Sequence, residues 1–292
     1  MRELAAVGGA LQRTLSERCA LLRFDLPWEY EVAAAAGGGV SPADAAVRDR
    51  AWSRSAAEAG LRVSAAEIQP RATVLIDLRP DEGALLAAMK SKWRYNVRLA
   101  HRRGVTVQAA GIERIAEWYA LFRETAARDR IAIHAEEYYR AAFEESEHAP
   151  DGPRLELLLA HHEHDLLAGI VVAYHRRRAT YLYGASAELK RSVMPAYALQ
   201  WEAIRRARRA GMLEYDLFGI PRFADERHRM FGLYRFKTGF GGRIVERPGC
   251  VDLPLQPIRY GVFRSGEAAR AALARFRKRG RTYSGSGVGG TG

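Results

Sequence analysis

Four stretches hold residue types whose spacing invites a chemical reading. From Met89 to Gly104 the chain reads MKSKWRYNVRLAHRRG, with Lys90, Arg94, Arg98 and Arg102 at four-residue steps. Lys92, His101 and Arg103 stand beside them, and no carboxylate lies between Lys90 and Gly104 to neutralise them. Leu86, Met89, Trp93, Val97 and Ala100 recur at three- and four-residue steps, so one helix started by Pro80-Asp81 packs this face inward and offers cations on the other. Such a face suits a diphosphate or an RNA backbone, with Trp93 and Tyr95 able to stack; a solvated basic face is the plainer alternative. Lys92, Arg94 and Arg98 are its candidate binding residues.

The second stretch, LYRFKTGFGG at residues 233–242, puts Lys237 after the last turn of a helix, beside glycines that a substrate can approach closely. Because this glycine run follows a helix and does not open one, it is not a dinucleotide fingerprint. The third, LEYDLFGI at residues 213–220, carries Tyr215 and Asp216 on opposite faces of a strand. Asp216 is a base, an orienter of a substrate amine, or a structural acid bonded to backbone N–H groups. The fourth, His161-His162-Glu163-His164-Asp165, has the spacing of a hairpin tip, and no HExxH occurs, so no metal site is expected. There is no GxSxG, and Cys19 and Cys250 form no CxxC, so nucleophile and disulfide signals are lacking.

The elements that must position these residues follow from periodicity. From residue 104 onward come strand GVTVQAA, helices GIERIAEWYALFRETAARD and AEEYYRAAFEESE, then strands RLELLLA, LLAGIVVAYH and ATYLYGAS. Helix PAYALQWEAIRRARRAG, strand LEYDLFG, helix ADERHRMFGLYRFKTG and strand GRIVERP complete the series. This β-α-α-β-β-β-α-β-α-β order is that of the GNAT acyltransferase fold. Ahead of it lie a helix at 9–18, strand CALLRFDL, a helix over SPADAAVRDRAWSRSAAEAG and strand TVLIDL, an order matching the second half of the later series. The expected class is therefore α/β (α+β) with tandem GNAT-like domains, the first incomplete at its N-terminus.

The expected division is 1–103 for the partial first domain, ending in the basic helix, and 104–247 for the complete second one. A C-terminal segment at 248–280, with a basic helix docking on the first domain, and a disordered tail at 281–292 follow.

A net charge of +12 points to an anionic partner: RNA, a phosphorylated substrate or a membrane surface. The chain has only five lysines, Lys90, Lys92, Lys190, Lys237 and Lys278, against 41 arginines, so lysine marks places where a compact ammonium serves. No apolar run approaches the length of a membrane span and the N-terminus lacks the apolar core of a signal peptide, from which a cytoplasmic protein is expected. Phe263, Leu273 and Phe276 on the basic C-terminal helix allow peripheral contact with the inner membrane surface. No glycine falls between Gly184 and Gly211, where acyl-CoA enzymes of this fold hold pyrophosphate on backbone N–H groups, so a CoA donor is not expected.

The segments KSKWRYNVRLAHRRGVTV, YGAS with MPAYALQWEAIRRARRAGMLEYDLFGI, and YRFKTGFGG resemble the FemAB/FemX family of peptidoglycan interpeptide-bridge aminoacyltransferases, over about Leu21 to Pro254. The resemblance implies transfer of an amino acid from aminoacyl-tRNA, the co-substrate, to a stem-peptide amine of a UDP- or lipid-linked peptidoglycan precursor. It implies no cofactor and no DNA. On the FK-x-G-F motif it implies Lys237 as the cation facing the oxyanion, with Phe236 shaping the channel. Asp216 joins them as a catalytic candidate, and Tyr215 is a candidate substrate-binding residue. Arg191 and Tyr197, where a CoA enzyme would hold pyrophosphate, are candidates for the precursor. The alternatives are a GNAT-like transferase acting on another amine and a non-catalytic tRNA- or membrane-binding derivative.

Overall fold

The structure is a computed structural model that describes residues 1–15, 19–32 and 40–283. The chain begins with α1 (Arg2–Gln12), β1 (Leu21–Phe24), β2 (Tyr30–Glu31), α2 (Pro42–Glu58), β3 (Arg62–Val63) and β4 (Ala72–Asp77). Next come α3 (Glu82–Ala88), α4 (Ser91–Arg102), β5 (Thr106–Ala110), α5 (Ile115–Asp129) and α6 (Glu136–His148). Then follow β6 (Arg154–His162), β7 (Asp165–His175), β8 (Arg178–Ser186), α7 (Pro195–Arg209), β9 (Glu214–Asp216) and α8 (Phe231–Thr238). Strands β10 (Arg243–Glu246) and β11 (Val251–Pro254) and helix α9 (Pro257–Tyr283) close the chain.

Two compact units form. The first comprises Met1–Glu29, Ser41–Arg71 and the chain from Arg247; the second comprises Tyr30–Val40 and Ala72–Glu246. The second unit contains the β-α-α-β-β-β-α-β-α-β series from β5 to β10 in the expected order. Its eight strands lie in the order β2-β10-β4-β9-β8-β7-β6-β5. Every neighbouring pair is antiparallel except β8 and β9. Alternation along β6 serves both faces: Leu158 and Ala160 join the core with α4 and α7, while Leu157 and Leu159 join the one with α5 and α6. The first unit carries the three-stranded sheet β1-β11-β3, packed through Trp52, Ala56, Leu61 and Val251.

The units divide elsewhere than the boundary expected at residue 103. Strand β4 pairs with β9 on one side and β10 on the other, and α4 buries Trp93, Val97 and Ala100 in the core shared with α7, so both belong to the second unit. The single helix expected from Pro80-Asp81 is two. Asp81 caps α3 by accepting from the Ala84 amide at 2.7 Å, but Met89 and Lys90 are extended (ψ 153° and 144°) before α4 begins. The break has a tertiary cause, because the Lys90 amide donates to the Gly239 carbonyl at 2.9 Å.

At the N-terminus the helix runs over Arg2–Gln12, not 9–18, and residues 16–18 of that expectation lie outside the described residues. Gly8, within the added turns, is buried against Leu253, where a Cβ would lie 2.3 Å from Cδ2. The helix expected from Ala224 shrinks to Phe231–Thr238 because side chains capture the preceding amides: Asp225 accepts from Arg227 N at 3.0 Å and His228 from Met230 N at 3.1 Å. Helix α9 continues through Tyr283, into the tail expected to be disordered, whose remainder lies outside the described residues. No helix among the described residues is long and apolar enough to cross a membrane.

Candidate active site

Strands β8 and β9 pair only at Arg178↔Glu214, Ala179↔Tyr215 and Thr180↔Asp216. Beyond Thr180, β8 keeps its partner β7 as far as Ser186, whereas β9 stops at Asp216, so the two strands part. A bulge in β8 at this point, between the Val172↔Tyr181 and Val171↔Tyr183 pairs, changes the strand's twist where the gap opens.

Lys237, in the last turn of α8, fills the gap. Its side chain is 5% exposed, and its Nζ donates to the carbonyls of Phe218 at 3.0 Å and Gly219 at 2.9 Å. The same nitrogen lies 5.1 Å from the centre of the Tyr181 ring. Burial drives its pKa from 10.5 down to about 7, against an upward pull from the Asp216 charge. Near neutral pH the group is thus divided between ammonium and amine, and an ammonium that gives two N–H donors to carbonyls has a third for a ligand.

The two carbonyls point at Lys237 because Phe218 adopts a left-handed backbone, φ 57°, a conformation costing about 1–3 kcal/mol in a residue with a side chain. Asp216 stabilises that turn. Its carboxylate is 1% exposed, accepts from the Phe218 amide at 2.8 Å and also accepts from the Thr73 hydroxyl. Of the roles left open by the sequence, these bonds are those of a structural acid that shapes the lysine's cradle. Tyr215, the alternate residue on the strand, is wholly buried with its hydroxyl donating to Gln200 Oε1 at 2.9 Å, which leaves it no surface for a substrate.

An aromatic wall adjoins the lysine. Phe236 stands edge-on to Tyr197 at 5.3 Å and to Phe240 at 5.1 Å, and Tyr197 meets Trp93 at 5.8 Å. Trp93 fixes α4 to α8 by donating its indole N–H to the Phe236 carbonyl at 2.8 Å. That contact explains Gly239, where a Cβ would lie 2.1 Å from the Trp93 ring; Gly242 has a separate cause, a φ of 87° and a Cβ position 2.4 Å from the Leu75 carbonyl. Tyr197 is thereby brought from a separate stretch of sequence against Phe236, the neighbour of Lys237.

The remaining candidates are spread along the second unit. Lys92 and Arg98 are exposed on the basic face of α4. Arg94 is half-buried and donates to the carbonyls of Ala87, at 2.9 Å, and Met89, closing the end of α3. Arg191 is exposed on a short helical turn at Arg191–Val193, flanked by left-handed Lys190 and Met194. Glu163 and Asp165 of the histidine-rich turn bind Lys190, the latter at 2.9 Å, a partnership that residue types alone did not reveal. Thr73, Tyr181, Phe218 and Gly219 were also missed, since the Thr73 hydroxyl, the Tyr181 ring and the carbonyls of Phe218 and Gly219 meet their partners only in the assembled sheet.

A separate cleft of about 570 Å³ lies at the start of β9, lined by Glu31, Asp77, Arg79, Arg177, Glu214 and Arg243 among others. Its lining holds as many carboxylates as guanidiniums, and several are paired: Arg243 binds Glu214 at 2.7 Å, which also takes Arg178 from outside the lining at 2.6 Å, and Arg79 binds Asp77 at 2.6 Å. It therefore has less to offer an anion than the unneutralised face of α4.

A family model described as the FemAB family matches residues 6–149 and 154–267. The lipid II:glycine glycyltransferase of Staphylococcus saprophyticus subsp. saprophyticus is 23% identical over 255 residues, covering 67% of this chain and 61% of that protein. The protein of the same name from Staphylococcus haemolyticus is 33% identical over 103 residues, 35% of this chain and 25% of that protein. Its counterpart in Staphylococcus aureus (strain USA300) is 25% identical over 255 residues, covering 65% of this chain and 61% of that protein. The chain thus spans 61% of the length of two of these curated relatives. Among solved structures, the crystal structure of FemX matches with a TM-score of 0.73 at 20% identity, over 90% of this chain and 79% of that one. The resemblance read from the motifs and the expected GNAT-like α/β class are both borne out.

Proposed function

Because the chain belongs to the FemAB family, we propose that it is an aminoacyltransferase that moves an amino acid from aminoacyl-tRNA to a stem-peptide amine of a peptidoglycan precursor. The observation that carries this reading is the buried Lys237 at the parting of β8 and β9, with two donors held by carbonyls and one left over. The relatives named lipid II:glycine glycyltransferases support an acceptor of the lipid-linked kind.

The chemistry asked of the chain is modest because an aminoacyl ester is already activated. A neutral amine attacks the ester carbonyl, a C–N bond forms, and the carbonyl oxygen becomes an oxyanion. The C–O bond to the ribose then breaks, and the proton shed by the amine goes to the departing ribose oxygen. In its ammonium form Lys237 donates to the oxyanion, a charge-assisted bond that strengthens as charge develops in a site from which water is excluded. Phe236 and Tyr197 form the apolar side of the channel and hold the aminoacyl group in reach. Lys92 and Arg98 supply cations for a diphosphate or for tRNA phosphates, and Arg191 offers another near the start of α7. No step calls for a covalent enzyme intermediate or a resident cofactor, and the reaction belongs on the cytoplasmic side, where aminoacyl-tRNA is found.

The test is a turnover assay with purified protein, a mixture of labelled aminoacyl-tRNAs and lipid- or UDP-linked precursor, read by mass spectrometry of the stem peptide. The expected product is heavier by one amino-acid residue, requires tRNA, and falls by about 100-fold or more in rate in Lys237→Ala, the loss typical of removing an oxyanion donor. Product formed equally well by that variant would remove Lys237 from the chemistry. Product formed from acyl-CoA in place of aminoacyl-tRNA would replace the donor.

A further inference from the structure

The outer face of α9 plays no part in the site described above. Its inner face is tied to the first unit by polar bonds at residues spaced four and three apart. Tyr260 pairs its hydroxyl with Asp252 at 3.2 Å, Arg264 donates to the Val63 carbonyl at 3.2 Å, and Glu267 accepts from Arg23 at 2.7 Å. These bonds set the rotation of the helix. They leave outward a row at 258, 262, 269 and 273, with Ile258 85%, Val262 70% and Leu273 55% exposed and Ala269 also exposed. Arg259 and Arg270 are exposed beside that row. Between Pro257 and Tyr283 the sequence places eight Arg and Lys against the single carboxylate Glu267, a net +7 in a chain of +12.

We propose that this face of α9 is a membrane-surface anchor, lying in the headgroup layer of an anionic bilayer with Ile258, Val262 and Leu273 inserted at the acyl boundary. An aliphatic row beside arginines, on a helix held by its other side, matches what an interfacial helix needs: apolar area to bury and positive charge to attract anionic headgroups. A phosphate backbone of RNA would match the positive charge of the helix but leave the aliphatic row in water, and the row offers no aromatic ring for a base. Phe263 is turned aside, with the Arg23 guanidinium 5.7 Å from its ring centre. A second copy of this chain would bring two helices of net +7 against each other, which like-charge repulsion opposes. The bilayer satisfies both features of the face at once.

Turnover does not enter the readout, so the inference stands or falls separately from the reaction proposed above. The full chain is sedimented with vesicles of phosphatidylcholine containing phosphatidylglycerol, and with vesicles of phosphatidylcholine alone. Partition to the anionic vesicles only is expected, decreasing with salt. The triple variant Ile258→Asn, Val262→Asn, Leu273→Asn should lower that partition by about tenfold or more, with an unchanged circular dichroism spectrum because all three side chains are exposed. Val262→Lys separates insertion from simple attraction: insertion predicts weaker partition, attraction alone predicts stronger. Absence of partition, equal partition of the triple variant or a gain in Val262→Lys would overturn the proposal. So would a tRNA affinity that drops in the triple variant, or a dimer in free solution that it dissociates.

Discussion

Lys237 is nearly sealed from solvent, and that burial lowers its pKa from 10.5 to about 7 against the upward pull of the Asp216 charge. A lysine whose folded pKa lies below its unfolded one releases its proton first in the folded state. Between about pH 7 and 10.5 the unfolded chain therefore holds more protons, and stability rises with pH across that window. Below it the folded protein carries the full cost of a buried ammonium. Replacing Lys237 by Met should thus be most favourable to stability below about pH 7, with the wild type recovering relative to the variant as pH approaches 10.5. Urea unfolding of both proteins across this range reads the difference, and a pH-independent gap would contradict the burial argument. Lysine and glycine in sequence were enough to single out the FKTGFGG stretch, because a sparse ammonium beside glycine is conspicuous by type. The cradle was not legible there, since a left-handed Phe218 and a hydroxyl from Thr73 carry no mark in a linear string.

At the scale of elements, α4 and α8 depend on each other. The close approach of Trp93 to Gly239, sealed by bonds from the Trp93 indole and the Lys90 amide, leaves no volume for a methyl group. Gly239→Ala should destabilise the protein by about 1–3 kcal/mol, as overpacking does, and also move the aromatic wall, so activity should fall further than stability alone explains. Thermal unfolding and turnover measured on the same preparation separate the two effects. The basic face of α4 makes a different kind of contribution. Because Arg94 is occupied in closing α3, Lys92 and Arg98 are the α4 candidates left to meet a phosphate. Lys92→Gln with Arg98→Gln should weaken precursor or tRNA binding and lower the slope of log affinity against log salt by about one for each phosphate no longer neutralised. An unchanged slope would return the face to simple solvation. The amphipathic pattern from Leu86 to Ala100 was legible, but the break at Met89–Lys90 was not, because the partner that stabilises it lies far along the chain at Gly239.

Across the whole molecule, each compact unit has its own means of cohesion. The second rests on a long sheet buried on both faces, whereas the first is small and relies on an ionic tie. Arg23 on β1 binds the wholly buried Asp252 of β11 at 2.7 Å and Glu267 of α9 at 2.7 Å, joining the start of the chain to its end. Arg23→Met would leave Asp252 without its guanidinium in the interior, at a cost of about 3–5 kcal/mol. Hydrogen exchange should then accelerate in β1, β11 and the first half of α9 while the eight-stranded sheet keeps its protection. Uniform loss of protection in both units would show that they unfold as one.

What the sequence alone determined about this protein are the properties that repeat at short range. Periodicity specified the element series of the second unit, composition its basic character, and the motifs a likeness to the FemAB/FemX family that the match over residues 6–149 and 154–267 bears out. Two- to four-residue strands such as β2, β3 and β11 have too few positions to show a period. Tertiary structure decided where β4 pairs, where α3 ends, and how a lysine, a strained turn and an aromatic wall from distant segments meet. The physical reason is that pairing of strand edges and burial of charge are set by partners remote in the chain, whose contribution exists only once the sheet has closed around them.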